Sequence, residues 1–97
     1  MQPSSETTSV LLVDDSPDTL GMLTDALNLS GMSVEVAKSG REALNAVDRK
    51  LPDIVLMDAM MPGLDGFETC QILKAEKGLE DVPVIFMTGF DETEHVV

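Results

Sequence analysis

Short unbroken apolar runs alternate along this chain with segments in which apolar residues recur every three or four positions. SVLLV at 9–13, DIVLMD at 53–58 and VPVIFMTG at 82–89 are of strand length. DIVLMD at 53–58 is the kind of continuous run expected of a strand buried on both faces. At 34–36, Val34 and Val36 alternate with a polar residue and read as a shorter strand. Between the runs the spacing becomes helical. Ser16 suits an N-cap and Pro17 the first helical position; Leu20, Leu23 and Leu27 share one face, and Gly31 suits the stop. Ser39 and Glu42 have capping-box spacing ahead of a stripe of Ala43, Leu44 and Val47, which ends at Leu51-Pro52. Asp65 and Glu68 repeat that spacing and open a third helix through Lys77, with Phe67, Ile72 and Leu73 expected inward and Gly78 ending it. Pro83 stands at the start of the last run, where a missing donor does least harm.

The resulting order is β-α-β-α-β-α-β with short connections, which implies an α/β domain: a parallel sheet with helices on its faces. Residues 1–8 are polar and are expected to form a disordered tail; 9–97 are expected to be the domain. The last stretch, GFDETEHVV, looks like a helix about to begin, with Asp91 as N-cap and Glu94 three residues on. Only three residues follow Glu94, too few for a stable helix. The expectation is a domain cut short of an element.

Charge changes the picture. Eighteen acidic residues against six basic ones give a net charge of −12. That disfavours direct contact with nucleic acid or an anionic membrane and suits a divalent cation or a basic partner. The single cysteine, Cys70, fits a reducing compartment and reads as an inert helix position. No signal-peptide pattern and no run of membrane-spanning length is present, so the expected location is cytoplasmic. His95, near the end of the chain, reads as a surface residue.

Three polar features fall at the carboxyl ends of strands, where ligands gather in parallel sheets. Asp14 and Asp15 follow the first strand, Asp58 ends the third, and Thr88 ends the fourth. If the first and third strands are neighbours, three carboxylates share one small pocket. Bare, they repel; a hard cation such as Mg²⁺, which prefers oxygen ligands, resolves the repulsion. Asp58 could then meet a phosphoryl group as a nucleophile, with Thr88 donating its hydroxyl.

With these residues in view, LLVDDS, DIVLMDAMMPGLDGFE and VPVIFMTG resemble the receiver domain of two-component response regulators. Forty-four positions separate Asp14 from Asp58 and thirty separate Asp58 from Thr88, which also matches. The resemblance implies a flavodoxin-like, doubly wound parallel sheet of order 2-1-3-4, lacking the family's fifth strand and last helix. It implies Asp58 as phosphoacceptor from a kinase phosphohistidine, and Mg²⁺ held by Asp15, Asp58 and the Met60 backbone carbonyl, with Asp14 acting mostly through water. It implies Thr88 as the switch hydroxyl, Pro62 and Gly63 as shaping the loop, and Gly89 as leaving room beside Thr88. The family's lysine on the fifth strand has no counterpart, since Lys74 and Lys77 lie on the third helix.

The implied partners are a histidine kinase or phosphotransfer protein, and an output domain or partner outside this chain. Self-phosphorylation and self-dephosphorylation are the most enzymatic activity implied. In the implied order the first helix alone covers one face of the sheet, and the fourth strand is an open apolar edge. Instability or a homodimer through that face or edge is therefore expected. Two other classes were weighed. A Mg²⁺-dependent phosphatase of the haloacid dehalogenase type needs a second Asp two residues past the nucleophile, but positions 16, 17 and 60 are Ser, Pro and Met. A receiver that serves as a dimerising or binding scaffold without phosphotransfer is the alternative that remains.

Overall fold

The computed structural model describes residues 7–60, 63, 65–87 and 95–96. Its elements are β1 (Ser9–Val13), α1 (Pro17–Leu29), β2 (Ser33–Ala37), α2 (Gly40–Arg49), β3 (Ile54–Asp58), α3 (Gly66–Glu76), β4 (Val84–Met87) and β5 (His95–Val96). The sheet order is β2-β1-β3-β4-β5. The first four strands are parallel in the expected order 2-1-3-4, with Val13 beside Ala37 and Met57, and Asp58 beside Met87.

The expected caps form. Ser16 accepts from the Thr19 N–H at 3.4 Å, and Pro17 opens α1. Gly31, at φ 88°, ends it: its N–H reaches the Asn28 carbonyl and the Met32 N–H reaches that of Leu27. This closure satisfies carbonyls that the helix end would orphan, in a conformation glycine adopts without strain. Asp65 and Glu68 form a complete capping box. The box at α2 differs: Ser39 accepts from the Glu42 N–H, but the Glu42 carboxylate reaches back to the N–H of Lys38, one residue earlier than foreseen.

Strand alternation sorts the core into two unequal halves. Leu11, Val13, Val55, Met57, Val84 and Phe86 point to one face, where they pack with Ala43, Ala46 and Val47 of α2 and Cys70 and Leu73 of α3. Val10 and Leu12 point to the other face and are also fully buried, with Leu20 of α1 buried on that side of the chain. Farther along the same face, Ile54, Leu56, Ile85 and Met87 are only half-buried. So the 53–58 run is not buried on both faces as its hydrophobicity implied. One helix on that face reaches β1 and β2, while two helices share the opposite face.

Two further expectations are corrected. Phe67 is 54% exposed rather than inward; its ring lies tilted against the buried ring of Phe86, centroids 4.6 Å apart. It is the second residue of α3, and a ring there can lap over the edge of the core without entering it. The proposed helix opening at Asp91 and Glu94 lies outside the described residues, but His95 and Val96 are strand. They pair antiparallel with Phe86 and Ile85, so half of the β4 edge expected to be open is paired. The β4 edge offers these two residues ready hydrogen-bond partners.

Core and surface leucines should separate cleanly in urea titrations. Leu73→Ala, at a fully buried site between α3 and the sheet, is expected to lose about 2–5 kcal/mol of stability. Leu29→Ala, at a position 89% exposed, should change stability by no more than about 0.5 kcal/mol.

Candidate functional site

Asp14, Asp15 and Asp58 come together because β1 and β3 are adjacent and end level with one another. Val13 and Met57 are the last described partners of that ladder, so the next residues, Asp14 and Asp58, emerge side by side. One carboxylate oxygen from each of the three aspartates lies within 4.8 Å of the others. Asp14 is buried, at 6% exposure; Asp58 is intermediate and Asp15 exposed.

Backbone donors aim two of these groups. The Asp14 N–H continues the sheet by donating to the Ala37 carbonyl at 3.1 Å. Its Oδ1 accepts from the Ser16 N–H at 2.8 Å, so the turn into α1 orients the carboxylate. Asp58 Oδ1 accepts from the Met60 N–H at 3.0 Å. Burial pushes the Asp14 carboxyl above the ordinary carboxylate range; the Ser16 N–H opposes the rise, and the charges of Asp58 and Asp15 add to it.

The donor set is chemically uniform: three carboxylates, no nitrogen and no sulfur. Hard oxygen donors converging from three side chains suit a hard divalent cation. Such an ion would lower the mutual repulsion that burial of Asp14 sharpens. The group therefore fits a metal ion on its chemistry.

Met60 is 78% exposed, and its N–H is the group engaged with Asp58. Gly63 has φ 77°, a loop conformation suited to glycine. Thr88, Gly89 and Pro62 lie outside the described residues. Thr88 follows Met87, which pairs with Asp58 in the β3–β4 register. Cys70 is buried on α3, and burial raises its thiol above the usual range, which makes it an unreactive core position.

Two residues that bear on the site escaped the sequence reading. Gly66, the first residue of α3, is buried against the Asp58–Ala59 backbone. Thr69 is fully buried, and its hydroxyl donates to the Asp65 carbonyl at 2.7 Å. A glycine just inside a predicted capping box was the available signal for the first. Nothing in the pattern distinguished Thr69 from a surface threonine.

Comparison with known proteins bears on this geometry. The family model of the response regulator receiver domain matches residues 10–97. The DNA-binding response regulator MtrA of Mycolicibacterium smegmatis is 40% identical over 88 residues, covering 91% of this chain and 37% of that protein. The chain thus spans little more than a third of the length of this curated relative. Among solved structures, the N-terminal domain of a response regulator receiver protein from Methanoculleus marisnigri superposes with a TM-score of 0.81 at 36% identity, over 88% of this chain and 69% of that one. The chemotaxis response regulator CheY4 of Vibrio cholerae superposes with a TM-score of 0.83 at 30% identity, over 89% and 72% of the two chains.

The electrostatic reading makes a mutational prediction with a definite sign. A carboxyl whose folded-state pKa is raised binds its proton more tightly folded than unfolded. Its contribution to stability is therefore greatest when protonated and is lost as pH rises past the ordinary carboxylate value toward the raised one. Asp14→Asn should accordingly raise the Tm of the protein in chelator at neutral pH. Millimolar Mg²⁺ is expected to raise the Tm of the unmodified chain, and to raise that of Asp14→Asn by less. Calorimetry of both proteins with and without Mg²⁺ checks both halves.

Proposed function

Since the chain belongs to the response regulator receiver domain family, we propose that Asp58 is its phosphoacceptor, taking a phosphoryl group from the phosphohistidine of a histidine kinase or phosphotransfer protein. The observation that carries this reading is the convergence of Asp14, Asp15 and Asp58 at the carboxyl ends of β1 and β3. Asp58 is the member that terminates a central strand: β4 pairs with it through Met87, and β1 pairs with Met57, the residue just before it. A carboxylate so held can be presented to phosphorus repeatedly in one geometry.

In the step itself an Asp58 oxygen forms a bond to phosphorus as the P–N bond to the histidine breaks, and that electron pair returns to the imidazole nitrogen. The Met60 N–H occupies Oδ1. Among the described residues no protein donor reaches Oδ2, which leaves it available to phosphorus or to a cation. Asp14 and Asp15 would hold Mg²⁺ together with Asp58 and the Met60 carbonyl, Asp14 mostly through water. Bound Mg²⁺ would neutralise the carboxylates and the phosphoryl oxygens, allowing anion to approach anion. Thr88, one residue past the Met87 that pairs with Asp58, is assigned the hydroxyl that meets a phosphoryl oxygen. The domain acts as an acceptor and switch rather than as a turnover enzyme.

The relative MtrA is named a DNA-binding response regulator. We assign no DNA contact to these 97 residues: a net charge of −12 repels a polyanion. The phosphorylated state would be read by a domain or partner outside them. No helix among the described residues is long and apolar enough to cross a membrane.

A second reading, self-association as a scaffold, draws on the half-buried row of Ile54, Leu56, Ile85 and Met87. Light scattering at micromolar concentration tests it. A dimer that Leu56→Lys dissolves supports it, and a monomer removes it.

Intact-mass spectrometry after incubation with a small-molecule phosphodonor tests the leading reading. One phosphoryl group should be gained, only with Mg²⁺ present, and not by Asp58→Asn. Labelling that persists in Asp58→Asn would place the acceptor elsewhere.

A further inference from the structure

We propose that Gly66 is a positioning residue for Asp58: it lets α3 begin in contact with the backbone of that aspartate and so fixes the Met60 N–H that orients the carboxylate. The proposal rests on the reading of Asp58 as phosphoacceptor and adds to it the element that holds the acceptor in place.

The requirement at position 66 is for space, not for conformation. Gly66 is not among the glycines with positive φ, which are Gly31, Gly63 and Gly78 among the described residues. A Cβ on Gly66 would stand 2.6 Å from the Asp58 carbonyl oxygen and 2.8 Å from the Ala59 Cα. Both are backbone atoms and cannot swing aside as a side chain could. Alanine is intrinsically the better helix former, so local propensity alone would favour the substitution. The contact opposes it.

The parts on either side of that contact are pinned, which decides what would move. On the α3 side, the Asp65–Glu68 capping box closes the helix start. The buried Thr69 hydroxyl and the Thr69 N–H both donate to the Asp65 carbonyl. On the strand side, the Ala59 N–H donates to Met87 and the Ala59 carbonyl accepts from the Gly66 N–H, each at 3.3 Å. The loop from 59 to 66 is thus tied at its neck by the Ala59–Gly66 bond. The Met60 N–H that meets Asp58 Oδ1 lies one residue inside that neck. With α3 anchored by Leu73 in the core, an added methyl displaces the 58–59 peptide, and the Met60 amide moves with it. Displacements on the order of 1 Å in a reacting group lower rates by about a hundredfold.

The test compares the unmodified chain with Gly66→Ala, Thr69→Val and Val47→Ala. Val47→Ala is a core truncation on α2 and controls for lost stability. Two readouts are taken on folded protein: the rate of Mg²⁺-dependent labelling by a small-molecule phosphodonor, and the Met60 amide resonance by NMR. Gly66→Ala is expected to be labelled about ten- to a hundredfold more slowly than Val47→Ala and to shift the Met60 amide, which Val47→Ala leaves in place. Should Gly66→Ala fail to fold, Thr69→Val decides the matter, since it loosens the same anchor without inserting an atom; slower labelling and a shifted Met60 amide are expected there too. Labelling at the control rate with an unmoved Met60 amide overturns the proposal. If the unmodified chain takes no label, the phosphoacceptor reading fails, and the Met60 amide alone still upholds or overturns the positioning role.

Discussion

The pairing of β1 with β3 sets Asp14 beside Asp58, and the sheet cannot relieve their repulsion without surrendering its core. Val13 and Met57, the residues just before them, are fully buried partners in the ladder. Burial stresses the Asp14 carboxylate and raises its pKa, and the charges of Asp58 and Asp15 add to the rise. The domain meets the stress only in part, with backbone donors: Ser16 for Asp14 and Met60 for Asp58. A divalent cation held by the three carboxylates would offset what remains. Unrelieved stress would then appear as affinity for the ion, which would link site and fold thermodynamically.

Those two donors differ in how they are held. The Ser16 N–H belongs to the N-cap residue of α1 itself, next to the proline that opens the helix. The Met60 N–H belongs to a loop with no regular structure among its described residues, and its position derives from the closure of that loop at Ala59 and Gly66. The Asp58 carboxylate is thus tied, through the Met60 N–H and the Ala59–Gly66 bond, to the start of the next helix. Its orientation is sensitive to packing several residues away in sequence.

The two faces of the sheet are unequally covered. The face under α2 and α3 is closed by Val47, Cys70, Leu73 and their strand partners. The α1 face is closed over β1 and left half-open over β3 and β4. Edge and face were managed differently as well: β5 pairs with the Ile85–Phe86 backbone, but it leaves the half-buried side chains of the α1 face as they are. Backbone hydrogen bonding and side-chain burial are separate demands, and meeting the first does not meet the second.

Local chemistry made much of this legible before any tertiary contact was known. Apolar runs and helical spacing marked every strand and helix from Ser9 to Met87, and Ser16, Gly31 and the Asp65–Glu68 pair marked their ends, because caps and stops are governed by neighbours in sequence. The acidic triad was legible as a conjunction of two strand ends, given adjacency of the first and third strands. What sequence could not settle were matters of contact between distant segments. Phe67 had an apolar side chain suited to the core, yet the start of α3 lies at the rim. The 53–58 run was hydrophobic enough for two buried faces, yet only one was covered. His95 and Val96 took strand form because the β4 edge was beside them. The need for glycine at position 66 comes from the Asp58 backbone, which only the fold sets against it. Periodicity and capping are set within a few residues of the chain; burial, edge pairing and close backbone approach are set by which elements the fold brings together.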